Sequence, residues 1–318
     1  MSEPKRKMII DTDTGGDDAL AILMAARCPD VEILGVTVAA GNVPLPQALK
    51  NALMSLEVAG CDAPVFPGAE ASLSGAKTEC FSVYGTDGMG DKDLIHPTRT
   101  AEEKSAVDFL LDTIRAYPDE VEIVALAPVT NIALAIQKEP ETMKHVKKIW
   151  SMASAGLGPG NATPVAEFNV YKDAEAYDVL LRSGIPVTVI GLDLCEEEET
   201  LISAEELSEM EKGSALQKFA ALAFSKLLDF RREGNGQNNV DACDAIAMAH
   251  ALDFTFTTKA LLCNASCITL PCEAYGQVIF YRSDRAYDSM PKLSEPKITL
   301  LNGQESGRFK KYMNELLA

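Results

Sequence analysis

Residues 8–18 read Met8-Ile9-Ile10-Asp11-Thr12-Asp13-Thr14-Gly15-Gly16-Asp17-Asp18, and this stretch is the most informative part of the chain. It places four aspartates within eight residues, directly after a short apolar run. Like charges this close disfavour joint ionisation, so the cluster is costly unless a cation compensates it. Carboxylate oxygens are the ligands of hard cations such as Ca²⁺ and Mg²⁺. The stretch therefore predicts a metal site at the end of the first strand.

The same residues also have a purely structural interpretation. Asp and Gly are turn residues, and Asp17 could serve as the N-cap of a helix that begins at Ala19. That role accounts for one or two of the aspartates and leaves the others unexplained. The crowding therefore favours the metal site.

The composition excludes several classes of protein. The chain has 318 residues, of which 47% are hydrophobic, so it can bury a large core. Its net charge of −18 argues against nucleic acid or an anionic membrane surface as a partner. No apolar run approaches the ~18 residues of a membrane span. The apolar run after the N-terminus is too short for a signal peptide, so we expect a cytoplasmic protein. The eight cysteines form no Cys-x-x-Cys pair, which favours reduced thiols over a zinc site.

Apolar, strand-like segments alternate with helical ones along most of the chain. The sequence predicts strands at residues 8–10, 31–38, 121–126, 146–152 and 186–190. It predicts helices between them at 18–26, 46–59, 131–137 and 173–182. This alternation predicts an α/β fold with a mainly parallel open sheet, a Rossmann-like core and helices on both faces.

The remaining elements extend this architecture. Thr100 and Glu103 form a sequence capping box, which predicts a helix from there to about Tyr117. Further helices are predicted at residues 203–211, 214–232, 241–252 and 304–317. Strands at 268–270, 277–281 and 297–300 predict a small C-terminal β extension. No repeat or low-complexity linker divides the sequence, so we expect one domain over residues 1–318.

Polar residues follow several of the predicted strands. They include Asp13, Asn42, Asn161, Glu167 and Asn169. Open α/β sheets bind ligands beyond the carboxyl ends of their strands, so these side chains should converge. Carboxamides and carboxylates hydrogen-bond to hydroxyls, which suits a sugar better than a phosphate. A loop built only of turn residues would look similar.

A second acidic feature precedes the apolar helix near residue 245. Asp241 and Asp244 both lie at its start. One of them could serve only as the N-cap, and the other could point into the site.

Five segments in order resemble the inosine-uridine nucleoside hydrolase family, enzymes that cleave the N-glycosidic bond of ribonucleosides. They are residues 11–19, 38–43, 128–133, 160–169 and 244–249. The first is similar to the family pattern Asp-x-Asp-Pro-Gly-x-Asp-Asp-Ala, with Thr14 in place of the proline. One such segment would be a weak signal, but five in order across most of the chain form a specific one.

The resemblance implies a role for each matched position. Ca²⁺ would be held by Asp13, Asp18, Asp244 and the main-chain carbonyl of Leu126. The ribose 2′- and 3′-hydroxyls would be bound by Asp17, Asn169 and Asp244. The rest of the ribose site would be lined by Asn42, Met152, Asn161 and Glu167.

The implied reaction is hydrolysis to ribose and free base by a Ca²⁺-bound water, with Asp13 as the general base. The implied substrate is a small purine or pyrimidine ribonucleoside in nucleoside salvage. Relatives are commonly dimers or tetramers, so a homodimer or homotetramer is expected. Met152 has an equally good interpretation as a core residue.

The chain departs from the family pattern around the leaving base. A histidine usually precedes the aspartate of the fifth segment, and here that residue is Cys243. Another usual histidine is replaced by Tyr84. The leaving-group acid is therefore unidentified, and Cys243, Tyr84, Arg231 and Arg232 are candidates for contacts with the base. His250 lies in an apolar helix, which favours a structural role over a catalytic one.

Two other functions stay open on sequence alone. Asp11-Thr12-Asp13 at a strand end also resembles the opening of haloacid-dehalogenase-type Mg²⁺ phosphatases, although the residues that follow depart from that pattern. A non-catalytic nucleoside-binding protein is the other alternative, because the usual histidines are missing. Residues 230–239 could be a mobile flap over the base or a plain surface connection.

Overall fold

The computed structural model describes residues 4–76, 80, 82–282 and 297–318. Within them the strands are β1 (Arg6–Thr12), β2 (Val31–Val38), β3 (Val65–Pro67), β4 (Val121–Ala125), β5 (Lys148–Met152), β6 (Val187–Ile190), β7 (Ile202–Ser203), β8 (Asn239–Val240), β9 (Thr257–Cys267), β10 (Val278–Tyr281) and β11 (Ile298–Gln304).

The α-helices are α1 (Gly16–Arg27), α2 (Leu45–Ala59), α3 (Ala106–Ala116), α4 (Thr130–Lys138), α5 (Pro140–Met143), α6 (Phe168–Lys172), α7 (Ala174–Arg182), α8 (Leu192–Cys195), α9 (Ala204–Met210), α10 (Ala215–Ala223), α11 (Ser225–Asn235), α12 (Cys243–Leu252) and α13 (Arg308–Leu317). Two short 3₁₀ helices lie at Ser82–Tyr84 and Phe254–Phe256. None of these helices combines the length and apolarity that a bilayer crossing needs.

Nine strands form one sheet in the order β10-β9-β11-β6-β5-β4-β1-β2-β3. The strands from β3 to β11 in this order pair in parallel. Strand β9 pairs antiparallel with β11, and β10 pairs antiparallel with β9. The structure therefore confirms the mainly parallel α/β sheet and its small C-terminal β extension.

Helices cover both faces of this sheet. One apolar cluster joins the sheet to α1, α2, α10, α12 and α13, and a second joins it to α3, α4 and α7. Strand β1 lies in the interior of the sheet, where Met8, Ile9 and Ile10 are fully buried. A strand buried on both faces needs such a continuous apolar run, which is why residues 8–10 were recognisable in the sequence.

The predicted capping box at Thr100 is wrong. The helix begins at Ala106, and its cap is Ser105, whose hydroxyl accepts a hydrogen bond from the backbone N–H of Asp108. The segment before it is held beside β3, because the N–H of Glu102 donates to the carbonyl of Val65. A tertiary contact thus overrides the local helix signal.

Three further boundaries differ from the prediction. The strand expected at residues 268–270 is wrong, because strand β9 lies just before it, over Thr257–Cys267. The helix expected over 214–232 is two helices, α10 and α11, which meet at the fully buried Phe224. The last helix begins at Arg308 because Gln304 still belongs to β11.

The parallel strands bring their carboxyl ends to one edge of the sheet. Asp13 follows β1, Asn42 follows β2, Leu126 follows β4, and Met152 ends β5. The register supports this alignment, since Asp11 on β1 lies opposite Thr37 on β2 and Ala125 on β4. This edge is where the fold places a ligand.

Candidate active site

A cavity of about 860 Å³ opens at the carboxyl edge of the sheet. Most of the residues predicted from the sequence line it: Asp17, Asn42, Tyr84, Leu126, Met152, Asn161, Glu167, Asn169, Arg231, Cys243 and Asp244. Asp13 and Asp18 do not line it, and both are fully buried. The structure thus brings the predicted ribose, metal and base residues to one place.

A cluster of three buried carboxylates lies at this site. Asp17 and Asp18 belong to the first turn of α1, Asp244 belongs to the first turn of α12, and one oxygen of each lies within 4.8 Å of the others. The positive ends of two helix dipoles favour the charged carboxylates there. An all-oxygen donor set of this kind suits a hard divalent cation, so these residues could hold a metal ion.

Asp18 is fixed by three donors. Its Oδ1 accepts a 2.6 Å hydrogen bond from the hydroxyl of Thr12, and its Oδ2 accepts from the N–H of Gly15 at 2.9 Å. The side-chain amide of Asn42 donates to the same Oδ2 at 3.2 Å. Asp18 rather than Asp17 therefore accepts from the backbone at the start of α1, and the alternative interpretation of Asp17 as the N-cap is wrong.

Asp13 lies beside this cluster with one oxygen bonded and the other not. Its Oδ2 accepts a hydrogen bond from the backbone N–H of Asn42, while its Oδ1 has no hydrogen-bond partner among the described residues. A Cβ atom on Gly41 would lie 1.9 Å from that Oδ2, so the close approach of the backbone requires glycine. A buried, unpaired carboxylate oxygen is costly and marks a place for a cation or a water.

Burial governs the charges of these groups. It raises the pKa of Asp13 well above the usual value, and the charge of Asp18 raises it further. It raises the pKa of Asp17 to about 7, again with a contribution from Asp18. Burial and the charge of Asp17 raise the pKa of Asp244 in the same way. A divalent cation here would favour the ionised forms, so the electrostatics and the donor set both fit a metal.

Glu167 organises the loop that follows β5. Its Oε1 accepts from the N–H of Asn169 at 2.7 Å, and its Oε2 accepts from the N–H groups of Ser154 and Val170 at 3.0 and 3.2 Å. Ser154 has a φ of 72°, an uncommon backbone conformation for a residue with a side chain. The pKa of Glu167 is raised to about 7, because the effect of burial, which raises it, exceeds the effect of these hydrogen bonds, which lower it.

Asn169 ties the same loop to the ends of β4 and β5. Its side-chain N–H₂ donates to the carbonyl of Leu126 at 2.7 Å and to the carbonyl of Met152 at 3.1 Å. Met152 is buried, as its interpretation as a core residue predicts, and it also lines the cavity. Asn161 lies at the exposed mouth, where its Oδ1 accepts from the N–H of Phe168.

The candidates for contacts with the base that also line the cavity are Tyr84, Cys243 and Arg231. The hydroxyl of Tyr84 donates to Asp17. The thiol of Cys195 donates to the backbone carbonyl of Cys243 at 3.8 Å, and the neighbouring Cys195 thiol and burial raise the pKa of Cys243 well above the usual value. Arg231 forms an ion pair with Asp241, with Nη1 2.9 Å from Oδ2.

Arg232 does not contribute to the cavity. It is exposed, and its Nε donates to Oδ1 of Asn238. Residues 231 and 232 are about 100° apart around α11, so only one of them can face the site.

His250 has the structural role predicted for it. Its Nδ1 is 3.0 Å from the hydroxyl of Thr257, and its Nε2 is 3.2 Å from Oε1 of Gln304. Both ring nitrogens are therefore satisfied away from the cavity.

The segment 230–239 is part helix and part turn. Helix α11 ends at Asn235, and Gly236 caps it with a φ of 73°. Phe230, Asn235 and Gln237 line the cavity, so this segment forms part of its wall rather than a connection remote from the site.

Several lining residues were not found from the sequence, among them Glu196, Leu201, Leu227, Phe230, Asn235 and Gln237. Glu196 is hidden in the run Glu196-Glu197-Glu198-Glu199, which has the composition of a solvated surface. The i, i+3 spacing of Leu227 and Phe230 was the one available signal, because it places them on one helix face. Neither Asp241 nor Asp244 caps α12, since its N-cap is Ala242.

This fold and site define an α/β protein with an acidic centre that could hold a metal, at a cavity lined by both polar and apolar side chains. Residues 8–311 match the family described as inosine-uridine preferring nucleoside hydrolase. The chain is 45% identical to uridine nucleosidase 1 of Arabidopsis thaliana over 59% of this chain and 56% of that protein. It is 37% identical to a probable uridine nucleosidase 1 of Oryza sativa subsp. japonica over 79% of this chain and 78% of that protein.

A solved plant nucleoside hydrolase gives the same result at the level of the fold. It superimposes with a TM-score of 0.91 at 30% identity and covers 99% of both chains. The chain belongs to the inosine-uridine preferring nucleoside hydrolase family.

Membership confirms the resemblance predicted from the five segments and places the chain among hydrolases of N-glycosyl bonds. The comparisons support neither the phosphatase nor the non-catalytic alternative. The alignment with the Arabidopsis enzyme spans little more than half of that enzyme's length, 56%.

Proposed function

We propose that this protein hydrolyses ribonucleosides to ribose and free base. The observation that carries the proposal is the convergence of Asp17, Asp18 and Asp244 within 4.8 Å at a cavity lined by Glu167 and Asn169. Carboxylates that could hold a divalent cation lie next to groups that hydrogen-bond to hydroxyls, which is the arrangement that a ribose diol requires.

The metal that we propose is Ca²⁺, held by Asp13, Asp18, Asp244 and the carbonyl oxygen of Leu126. The unpaired Oδ1 of Asp13 and the all-oxygen donor set support this assignment. When bound, such a cation lowers the pKa of a water and fixes its position.

The side chains then have separate roles. Asp17, Asn169 and Asp244 bind the 2′- and 3′-hydroxyls, because all three line the cavity. Asn42, Met152, Asn161 and Glu167 line the remainder of the ribose site. Holding the sugar in this way positions its anomeric carbon for attack.

Asp13 takes the proton of the attacking water as the general base. The bond to the base breaks ahead of attack, so positive charge develops on the ribose. The buried carboxylates stabilise that charge electrostatically.

Uridine is the substrate that we propose first, because two similar proteins carry the name uridine nucleosidase. We also propose that the chain folds as one domain, acts in the cytoplasm in nucleoside salvage, and assembles as a homodimer or homotetramer.

A panel of purine and pyrimidine ribonucleosides, assayed for released base with chelator and with added Ca²⁺, tests the proposal. Base release that Ca²⁺ restores after chelation is the expected result. 2′-Deoxyuridine should react on the order of 10³-fold more slowly than uridine, because the carboxylates that bind the missing hydroxyl are left unpaired. Equal rates on both sugars, or binding without base release, would contradict the proposed site.

A further inference from the structure

Among the described residues, no histidine lines the cavity. All three histidines of the chain lie elsewhere: His96 and His145 are exposed, and His250 is bonded to Thr257 and Gln304. A nucleobase that departs as an anion needs a proton or a positive charge near it. Some other side chain must supply that assistance.

Two of the nearby candidates are already committed to other partners. The one hydroxyl proton of Tyr84 is donated to Asp17. The thiol of Cys243 contacts Cys195, and a thiol is a weak hydrogen-bond donor. Neither group has a strong donor free for the base.

Arg231 supplies a positive charge that these two groups lack. Its side chain lines the cavity, is only 12% exposed, and has Nη1 paired with Oδ2 of Asp241 at 2.9 Å. Its Nε is enclosed by protein atoms, so the donors left for a ligand are those on the Nη atoms. The ion pair with Asp241 restrains the position of the guanidinium group.

We propose that Arg231 is the catalytic residue for the leaving base, donating from its guanidinium group to an acceptor on the base. The inference rests on the proposed function and deepens it. As the C1′–N bond breaks, its electron pair goes to the base and spreads to the ring carbonyl oxygen, where the guanidinium stabilises the negative charge. Asp241 is the positioning residue that holds the guanidinium group in place.

Atoms and charge balance in this reaction without a proton-donating acid in the site. The hydroxide part of the water joins C1′, and its proton goes to Asp13. The base anion takes an equivalent proton from solvent after it leaves. Bases with a carbonyl oxygen beside the glycosidic nitrogen, as in pyrimidines, are the class that gains most, because that oxygen lies close to the breaking bond.

Two substrates with different leaving groups separate this role from a structural one. Uridine needs assistance for its leaving base, whereas p-nitrophenyl β-D-ribofuranoside releases a stable phenolate and needs little. Arg231→Gln should lower kcat/KM for uridine by about 10²-fold and for the aryl riboside by less than about threefold, the scale of one lost charge-stabilising donor. Retained activity on the aryl riboside also shows that the variant is folded.

Arg232→Gln is the matched control, because Arg232 is the next residue on α11 and is exposed. It should leave both substrates unaffected. Arg231→Lys should recover part of the uridine activity because it retains the charge, and Asp241→Asn should lower the ratio of uridine to aryl riboside activity less than Arg231→Gln does.

Each other outcome overturns the inference. An equal loss on both substrates would show that Arg231 supports the fold or the ribose site. Unchanged uridine activity in Arg231→Gln would show that the base does not depend on it. A wild-type protein that is inactive on both substrates would instead overturn the proposed function, together with the inference that rests on it.

Discussion

The backbone N–H of Asn42 donates a 2.5 Å hydrogen bond to Oδ2 of Asp13, while Oδ1 of the same carboxylate has no partner among the described residues. The bonded oxygen fixes the orientation of the side chain. The other oxygen is available to a cation or to a water. One carboxylate is thus suited both to hold the metal and to accept a proton.

Asp13→Asn should fold and lose most of its activity. The amide oxygen can still accept from the N–H of Asn42, so we expect the melting temperature to change little. The variant cannot accept a proton as a base, and kcat for uridine should fall about 10²-fold or more. Steady-state kinetics measures kcat, and thermal unfolding measures the melting temperature. Near-full turnover would remove Asp13 from the role of base.

Asp11→Asn is the control for this variant. Asp11 lies two residues earlier, on β1, and is also fully buried; its Oδ1 accepts from Thr37 and Asn131, and its Oδ2, like Oδ1 of Asp13, has no hydrogen-bond partner among the described residues. We expect a much smaller loss of turnover. A similar loss in both variants would point to buried charge in general rather than to a specific base.

Gly41→Ala should disturb Asp13 without touching the substrate. The new Cβ would lie 1.9 Å from Oδ2 of Asp13, so the carboxylate must move. We expect kcat to fall by about 10²-fold, the effect of a misplaced catalytic group. Gly234→Ala is the matched control, because no atom lies within 4 Å of its added Cβ and helix α11 should gain up to ~1 kcal/mol. Full activity in Gly41→Ala would show that Asp13 tolerates displacement.

The sheet was predictable because its central strands are buried on both faces. Strand β2 was predicted with its observed bounds, Val31–Val38, since a β-branched apolar run has few other interpretations. The helix start at Ala106 was not predictable, because the segment before it is held by a hydrogen bond to Val65, far away in the sequence. Local sequence patterns predict helices and strands well, but they do not show where a tertiary contact prevents a helix from starting.

The acidic part of the site was predictable for a different reason. Carboxylates crowded after a buried strand are too costly to be accidental, so their spacing is informative. The residues proposed to lie near the base carried no such signal in the sequence. Phe230 and Gln237 lie in a polar segment that could have been a surface connection, and Asp241 was separable from Asp244 only through its ion pair with Arg231.

Ca²⁺ should stabilise the folded protein in a concentration-dependent way. It binds the native carboxylates and not the unfolded chain, so a concentration of 100 times Kd should add about 2.7 kcal/mol to the free energy of unfolding. Differential scanning calorimetry with Ca²⁺ and with chelator measures the shift in Tm. Asp244→Asn should abolish most of the shift, whereas the exposed Asp112→Asn should retain it. A wild-type Tm that is the same with Ca²⁺ and with chelator would contradict the metal site.

His250 should make the protein less stable in mild acid. Burial lowers the pKa of His250 from 6.5 to about 4 in the folded state. As pH falls below 6.5, the unfolded chain gains a proton at this residue that the native state does not bind, so the free energy of unfolding decreases until the pH reaches about 4. Between about pH 5 and 6.5 the contribution of His250 to the slope of the free energy of unfolding against pH should therefore approach one proton, ~1.4 kcal/mol per pH unit, and urea unfolding of wild type and a His250 variant isolates it.

His250→Gln removes the titrating group and should remove this contribution to the slope, even if the variant is less stable at every pH. The buried carboxylates titrate in both proteins, so their contribution cancels in the difference. Glu122 does not interfere, because the ion pair with Arg6 and the bond from Trp150 lower its pKa to about 2, and its contribution is lost only below 4.5. Parallel curves for wild type and His250→Gln would show that His250 titrates alike in the folded and unfolded states.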